Sequence, residues 1–127
     1  MSKIKTLMAV TAIAVAGAAT TQTASAAQLT PTEVTIEAKS GGDFSGYVRS
    51  ADPYCEDNRK VTLWKMVGSA PDRAVDRKIA MDTSSSNGNE GEWSTGNTGQ
   101  RKGKFYARVA KNSLCKGDVS PYTKAKP

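Results

Sequence analysis

Three groups of residues in this sequence have the types and spacing to do chemistry. Cys55 and Cys115 are the only cysteines. Asp82, Asn87, Asn89, Glu90 and Glu92 gather oxygen donors in one short polar stretch, and Arg101, Lys102, Lys104, Arg108 and Lys111 gather cations in another. What is missing narrows the options as much. The chain of 127 residues has no histidine, which removes the commonest general base, the Ser–His and Cys–His nucleophile pairs and every histidine-containing zinc site. Two cysteines are too few for a four-cysteine zinc site, and at 60 positions apart they form no C-x-x-C redox pair. The serines stand in no G-x-S-x-G motif.

The oxygen donors have two readings. Calcium accepts carboxylate and amide oxygens, and Asp82, Glu90 and Glu92 are the carboxylates it would take. Their spacing does not follow the EF-hand loop, and Asn, Asp, Ser and Gly are also ordinary turn formers. Residues 83–91 are therefore read first as a solvated hairpin loop with a turn at Asn87-Gly88, and no metal or cofactor is expected. Carboxylate pairs of the kind glycosidases need exist by count, in Asp52, Glu56 and Asp57 and again in Glu90 and Glu92. A domain this small leaves little room for a deep cleft, so the protein is not expected to be an enzyme.

The cations make a more specific pattern. On a strand, Lys104, Tyr106 and Arg108 alternate with Phe105, Ala107 and Val109, so they point away from the core. With the strand around Trp64 as its neighbour, Trp64 shares that outer face. An aromatic and cationic face of this kind would bind polysaccharide, anionic cell-wall polymer or nucleic acid. The same residues also suit the plain task of covering a sheet, stems packed and charges in water.

These groups need a destination and a frame. Lys3 and Lys5, the small apolar residues after them and the Ala24-Ser25-Ala26 cleavage pattern mark residues 1–27 as a secretory signal peptide, cut after Ala26 or Ala27. The apolar stretch is shorter than the roughly 20 residues a membrane span needs, so no span is expected. Of the formal charge of +6, two units lie on Lys3 and Lys5; the remaining domain, residues 28–127, is only mildly basic. In an oxidising, extracellular compartment, a single Cys55–Cys115 disulfide is the default. Closing so long a loop stabilises a fold by about 4 kcal/mol on the chain-entropy argument.

The rest of the chain reads as short strands between turn clusters, with no helical stripe. Expected strands cover 34–38, 44–50, 60–67, 77–81, 92–94, 104–110 and 119–123, the last at an edge because it must hold Pro121. The core candidates are Val34, Ile36, Phe44, Val48, Val61, Leu63, Ile79, Trp93, Phe105, Ala107 and Val109. Thr62, Trp64 and Met66 fall on the opposite face of their strand from Val61 and Leu63. The expected architecture is all-β: a two-sheet antiparallel β-sandwich, prealbumin-like or Ig-like, of about seven strands and one disulfide.

Three segments resemble a known family. Arg59-Lys60-Val61-Thr62-Leu63-Trp64-Lys65 is similar to the R-K-V-x-L-aromatic-K strand of small secreted, chiefly actinobacterial domains. Gly91-Glu92-Trp93-Ser94 and Gly103-Lys104-Phe105-Tyr106-Ala107-Arg108-Val109 resemble their G-x-W and G-K-aromatic-Tyr-Ala-x-V signature. The second pair also resembles carboxypeptidase regulatory-like (transthyretin-like) sandwiches, and the cysteine placement is similar. The resemblance spans most of residues 34–120. It implies a prealbumin-like fold and a largely uncharacterised extracellular role, and it brings no catalytic residues. The loop 83–90 is longer than the family's turn. The expectation is therefore a secreted, monomeric binding or structural module. Its candidate ligand face is Trp64, Lys104, Tyr106 and Arg108, and its candidate partner a cell-wall polymer or an extracellular protein. The alternatives are a secreted inhibitor acting through the loop 83–91 and, less favoured, a small hydrolase.

Overall fold

Apolar residues at every second position bury one face of a strand and leave the other to water. A computed structural model describes residues 28–127; the signal-peptide segment expected at residues 1–27 lies outside the described residues. The strands are β1 (Thr32–Val34), β2 (Glu37–Lys39), β3 (Asp43–Ser50), β4 (Lys60–Lys65), β5 (Arg77–Thr83), β6 (Ser85–Ser86), β7 (Gly91–Asn97), β8 (Lys104–Val109), β9 (Asp118–Val119) and β10 (Thr123–Lys124). They form two five-stranded antiparallel sheets. One has the order β9-β8-β4-β5, with β10 also on β8; the other has the order β1-β3-β7-β6, with β2 also on β3. The fold is the expected two-sheet antiparallel β-sandwich.

Among the described residues ten strands stand where about seven were expected, and each addition has a local cause. Strands β1 and β2 hold one register against β3, from Thr32 opposite Ser50 to Lys39 opposite Asp43, so they are the expected strand 34–38 with a break at Thr35 and Ile36. The expected strand 119–123 is broken by Pro121 into β9 and β10, which pair with opposite ends of β8; proline has no N–H to carry a ladder onward. The third addition, β6, lies inside the polar loop. At the buried Ser84 the chain leaves β5 in one sheet and enters β6 in the other. Ser84 Oγ donates to the Glu56 carbonyl and accepts from the Arg59 amide, which fixes that crossing.

The break between β1 and β2 is a built feature. In an unbroken ladder the Tyr47 amide would donate to the Thr35 carbonyl. Here it donates to Thr35 Oγ1 (2.8 Å) instead, and the Thr35 carbonyl accepts from the indole N–H of the buried Trp93 (3.0 Å). Gly46 permits this: a Cβ there would come within 2.0 Å of the Thr35 carbonyl oxygen.

Between the sheets lie Val34, Ala38, Phe44, Val48, Val61, Leu63, Trp93, Phe105, Ala107 and Val109. Ile36 and Ile79 are only partly buried, and Ala38 joins the core in their place. Phe44 and Phe105 meet across the interface at 4.7 Å between ring centroids, a tilted pair that adds about 0.5–1.5 kcal/mol to the area it buries. Met66, expected on the outer face, is buried.

Cys55 and Cys115 form the disulfide, both sulfurs within buried residues and the Cα atoms 5.6 Å apart. Beside it the buried Arg59 donates to the carbonyls of Cys55 (2.9 Å), Ala110 (2.8 Å) and Lys116 (3.1 Å) and to Thr32 Oγ1 (3.2 Å). Its acceptors are neutral, and burial lowers the guanidinium pKa from its ordinary value. The covalent bridge and the arginine tie the same two segments of chain.

Candidate functional site

Antiparallel pairing of β4 with β8 sets Trp64 directly opposite Tyr106 and Thr62 opposite Arg108. The expected neighbour relation is therefore present, with Trp64 half-buried and Tyr106 closed to solvent. The connection from β4 to β5 folds over this outer face. Tyr106 is 1% exposed, and its hydroxyl donates to Asp76 Oδ2 at 2.6 Å. Asp76, itself buried, also accepts from the amides of Val67 (2.9 Å) and Asp72 (2.7 Å). The connection thus closes on itself and latches onto Tyr106. Burial first, and the Asp76 carboxylate second, raise the Tyr106 phenol pKa far above its ordinary value. The Tyr106 hydroxyl first, then the two amides, hold Asp76 below the usual carboxylate range against its own burial.

The other members of the expected face separate as well. Trp64 is half-buried, and its indole N–H is enclosed without a partner. Arg108 is half-buried, its pKa lowered by burial and then by the nearby Arg73. Lys104 lies four positions away on β8, about 13 Å along a strand. Lys111 falls beyond β8, past its Val109 end. Of Trp64, Lys104, Tyr106 and Arg108, alternation gives the correct side of the sheet, but Tyr106 is closed off by the covering connection while the other three are half-buried.

Lys104 belongs to a different assembly at the end of the sandwich. Antiparallel pairing of β10 with β8 puts Lys104 directly opposite Lys124. Side chains so placed have Cβ atoms about 4.5–5.5 Å apart, and like charges there destabilise the ladder. Around this pair Arg101, Lys102, Gly103, Ala125 and Pro127 complete a cleft of about 350 Å³. The main chain is drawn together there by the Ala125 amide donating to the Gly103 carbonyl at 2.9 Å. Gly103, at φ +109°, takes a backbone conformation that L side chains avoid, and a Cβ on it would come within 2.8 Å of Lys65 Cε. Lys65 lies behind it, its ammonium 5.7 Å from the Phe105 ring centroid and 3.4 Å from Gln100 Oε1. The Lys104 ammonium stands 5.0 Å from the ring centroid of the half-exposed Tyr122. Among the described residues no carboxylate side chain lies within ion-pair distance of these cations; the one ion pair is Arg49–Glu90 at 2.7 Å.

A larger and less open groove of about 490 Å³ runs between β5 and the second sheet, past Glu37, Ser45, Tyr47, Asp82 and Glu92. Its charged lining is mainly acidic, with Glu37, Asp82 and Glu92 against the one cation Lys39, which itself stands opposite Asp43. An anion would meet those carboxylates there, whereas at Lys104 it would meet Lys124.

The structure gives the candidate calcium ligands separate partners. Asp82 accepts from the Ser94 amide (2.8 Å), Glu90 from Arg49 (2.7 Å) and Glu92 from the Asn87 side-chain amide. Among the described residues no three acidic, cysteine or histidine side chains are grouped to hold a metal ion. The paired carboxylates of the other loop are also engaged: Asp52 accepts from the Tyr54 amide, Glu56 from that of Ser50 and Asp57 from that of Ser86. The loop expected at 83–91 is a closed β6–β7 ladder in which Asn87 Oδ1 accepts from the amides of Asn89 and Glu90.

Sequence reasoning missed Lys124, Asp76 and the burial of Arg59. Asp76 carries no local signal, since its partner lies thirty residues on. Lys124 had one, the Lys124-Ala125-Lys126 run, but only strand pairing brings it to Lys104. No family model and no curated protein matches the chain. No helix among the described residues is long and apolar enough to cross a membrane.

Proposed function

We propose that this chain is an exported, non-catalytic binding module that holds anionic polymer of the cell envelope at its lysine-rich end. The observation that carries the reading is Lys104 opposite Lys124 with no carboxylate side chain to balance them. A ladder position that costs stability in the free domain gains from an anion placed between the two ammonium groups. Arg101 and Lys102 extend the positive surface on one side of the pair. Export is supported by the signal-peptide pattern of residues 1–27, and the buried disulfide is compatible with it. The R-K-V and G-x-W segments support placing the domain with the small secreted transthyretin-like sandwiches. The binding surface proposed is the end of the sheet at Lys104, with Tyr106 left to the packing beneath the β4–β5 connection.

The test is retention of the oxidised domain on immobilised polyphosphate across a salt series. Each lysine that contacts a phosphate lowers the slope of log affinity against log salt by about 1. Lys104→Ala combined with Lys124→Ala is expected to lower it by about 2 and to elute at lower salt, with a melting temperature at or above that of the wild type because the like-charge pair is gone. A folded double variant that elutes with the wild type refutes the assignment.

A further inference from the structure

The walls of the cleft at Lys104 and Lys124 carry more information than its charge. The cleft is open to solvent and its accessible lining is almost entirely carbon, from Ala125, Pro127 and the stems of the flanking lysine and arginine residues, so an occupant meets carbon with cations beside it. Tyr122, beneath the Lys104 ammonium, adds a half-exposed ring beside it. A bare polyanion uses the rim of such a site and leaves the floor wet. At about 350 Å³ the cleft lies at the small end of sites that enclose an organic ligand. From this the geometry points to an amphiphilic anion as the group seated in the cleft: one phosphate monoester head carried on a single aliphatic chain. The head sits between Lys104 and Lys124, and the first carbons of the chain lie against Ala125 and Pro127. The inference rests on the reading of this end as an anion site and adds the chemistry of the group attached to the anion. A free amphiphile suits the site better than a bilayer, since the apolar floor is one small cleft with one exposed ring beside it.

Charge and floor are complementary to the two halves of the ligand, and each half has its own readout. The experiment titrates the oxidised wild-type chain with inorganic phosphate and with ethyl, butyl, hexyl and octyl phosphate below their aggregation limits. Octyl glucoside serves as the uncharged amphiphile, polyphosphate as the bare polyanion and anionic phospholipid vesicles as the bilayer arm. Each methylene that enters the cleft is expected to tighten binding by about two- to fourfold until the floor is covered, after which the Kd levels off. Ala125→Leu, which enlarges the side chain between the cleft and the core and keeps every cation, is expected to alter that series and to leave polyphosphate binding in place. The unmodified series stands by itself should this variant fail to fold. A Kd independent of chain length, with polyphosphate still bound, overturns the amphiphile and leaves the anion site standing. No binding by either phosphate class overturns both. Octyl glucoside binding as tightly as octyl phosphate, or vesicles capturing the chain while soluble alkyl phosphates do not, also overturns it.

Discussion

Gly46→Ala tests whether the interrupted strand is a structural necessity. The added Cβ would sit 2.0 Å from the Thr35 carbonyl oxygen and 2.7 Å from its carbon, so one main chain must move. Moving the Thr35 carbonyl breaks its hydrogen bond with Trp93, and the indole, on a residue only 2% exposed, has no water to turn to. Leaving a buried donor unpaired costs about 1–3 kcal/mol, and forcing a methyl into a packed region adds about 1–3 kcal/mol. The expected loss is therefore about 2–6 kcal/mol, a large part of the stability of a small domain. Equilibrium denaturation of the oxidised protein reads it directly, and a double-mutant cycle apportions it. In a Trp93→Phe background the hydrogen bond is already gone, so Gly46→Ala should cost only the overpacking share. A loss below about 1 kcal/mol, or an equal loss in both backgrounds, refutes the reasoning.

Other outcomes rest on the same packing. Reducing and alkylating Cys55 and Cys115 releases a bridge spanning 60 positions; a loss of about 4 kcal/mol lowers the melting temperature by on the order of 20 °C, and an unchanged melt would sink the staple. Arg59→Met removes the donor to three main-chain carbonyls and should cost about 3–5 kcal/mol by the measure of other broken buried networks, with a smaller additional loss in the reduced protein because both ties hold the same segments. Tyr106→Phe should change the pH profile of the denaturation midpoint. Asp76, held below its ordinary pKa chiefly by the Tyr106 hydroxyl, contributes stability above the usual carboxylate range that is lost as pH falls through its folded value. The variant should therefore be weaker at neutral pH and converge on the wild type in acid. The phenol, raised above its ordinary value near 10, contributes stability below that pH which is lost above it, so the variant should also lack the wild type's alkaline decline. Parallel profiles across the whole range would contradict the latch.

How far these outcomes could be foreseen differs by residue, and the differences share a cause. Phe105, Ala107 and Val109 were legible as core because alternation is a property of the strand itself, and a strand with one buried face keeps its register. Pro121 was legible as a disturbance, though not as the divider of two strands on one edge. Tyr106 was placed on the correct side of its sheet and the wrong side of solvent. Periodicity reports which face a side chain takes; it does not report whether a connection such as the one carrying Asp76 will lie over that face.

The same limit explains why the cationic face moved. Arg101, Lys102, Lys104, Arg108 and Lys111 lie close in sequence, but a strand rises about 3.3 Å per residue, so a run that looks dense on paper is spread along the length of a sheet. Charge density in a sandwich is built across strands. Lys104 meets Lys124 through the pairing of β8 with β10, while its own neighbour in the run, Arg108, stands opposite Thr62 on one side and Val119 on the other. A basic run on one strand therefore becomes a dense cationic surface only where the adjacent strand supplies a second cation in register, and in this domain that condition is met at Lys104 and not at Arg108.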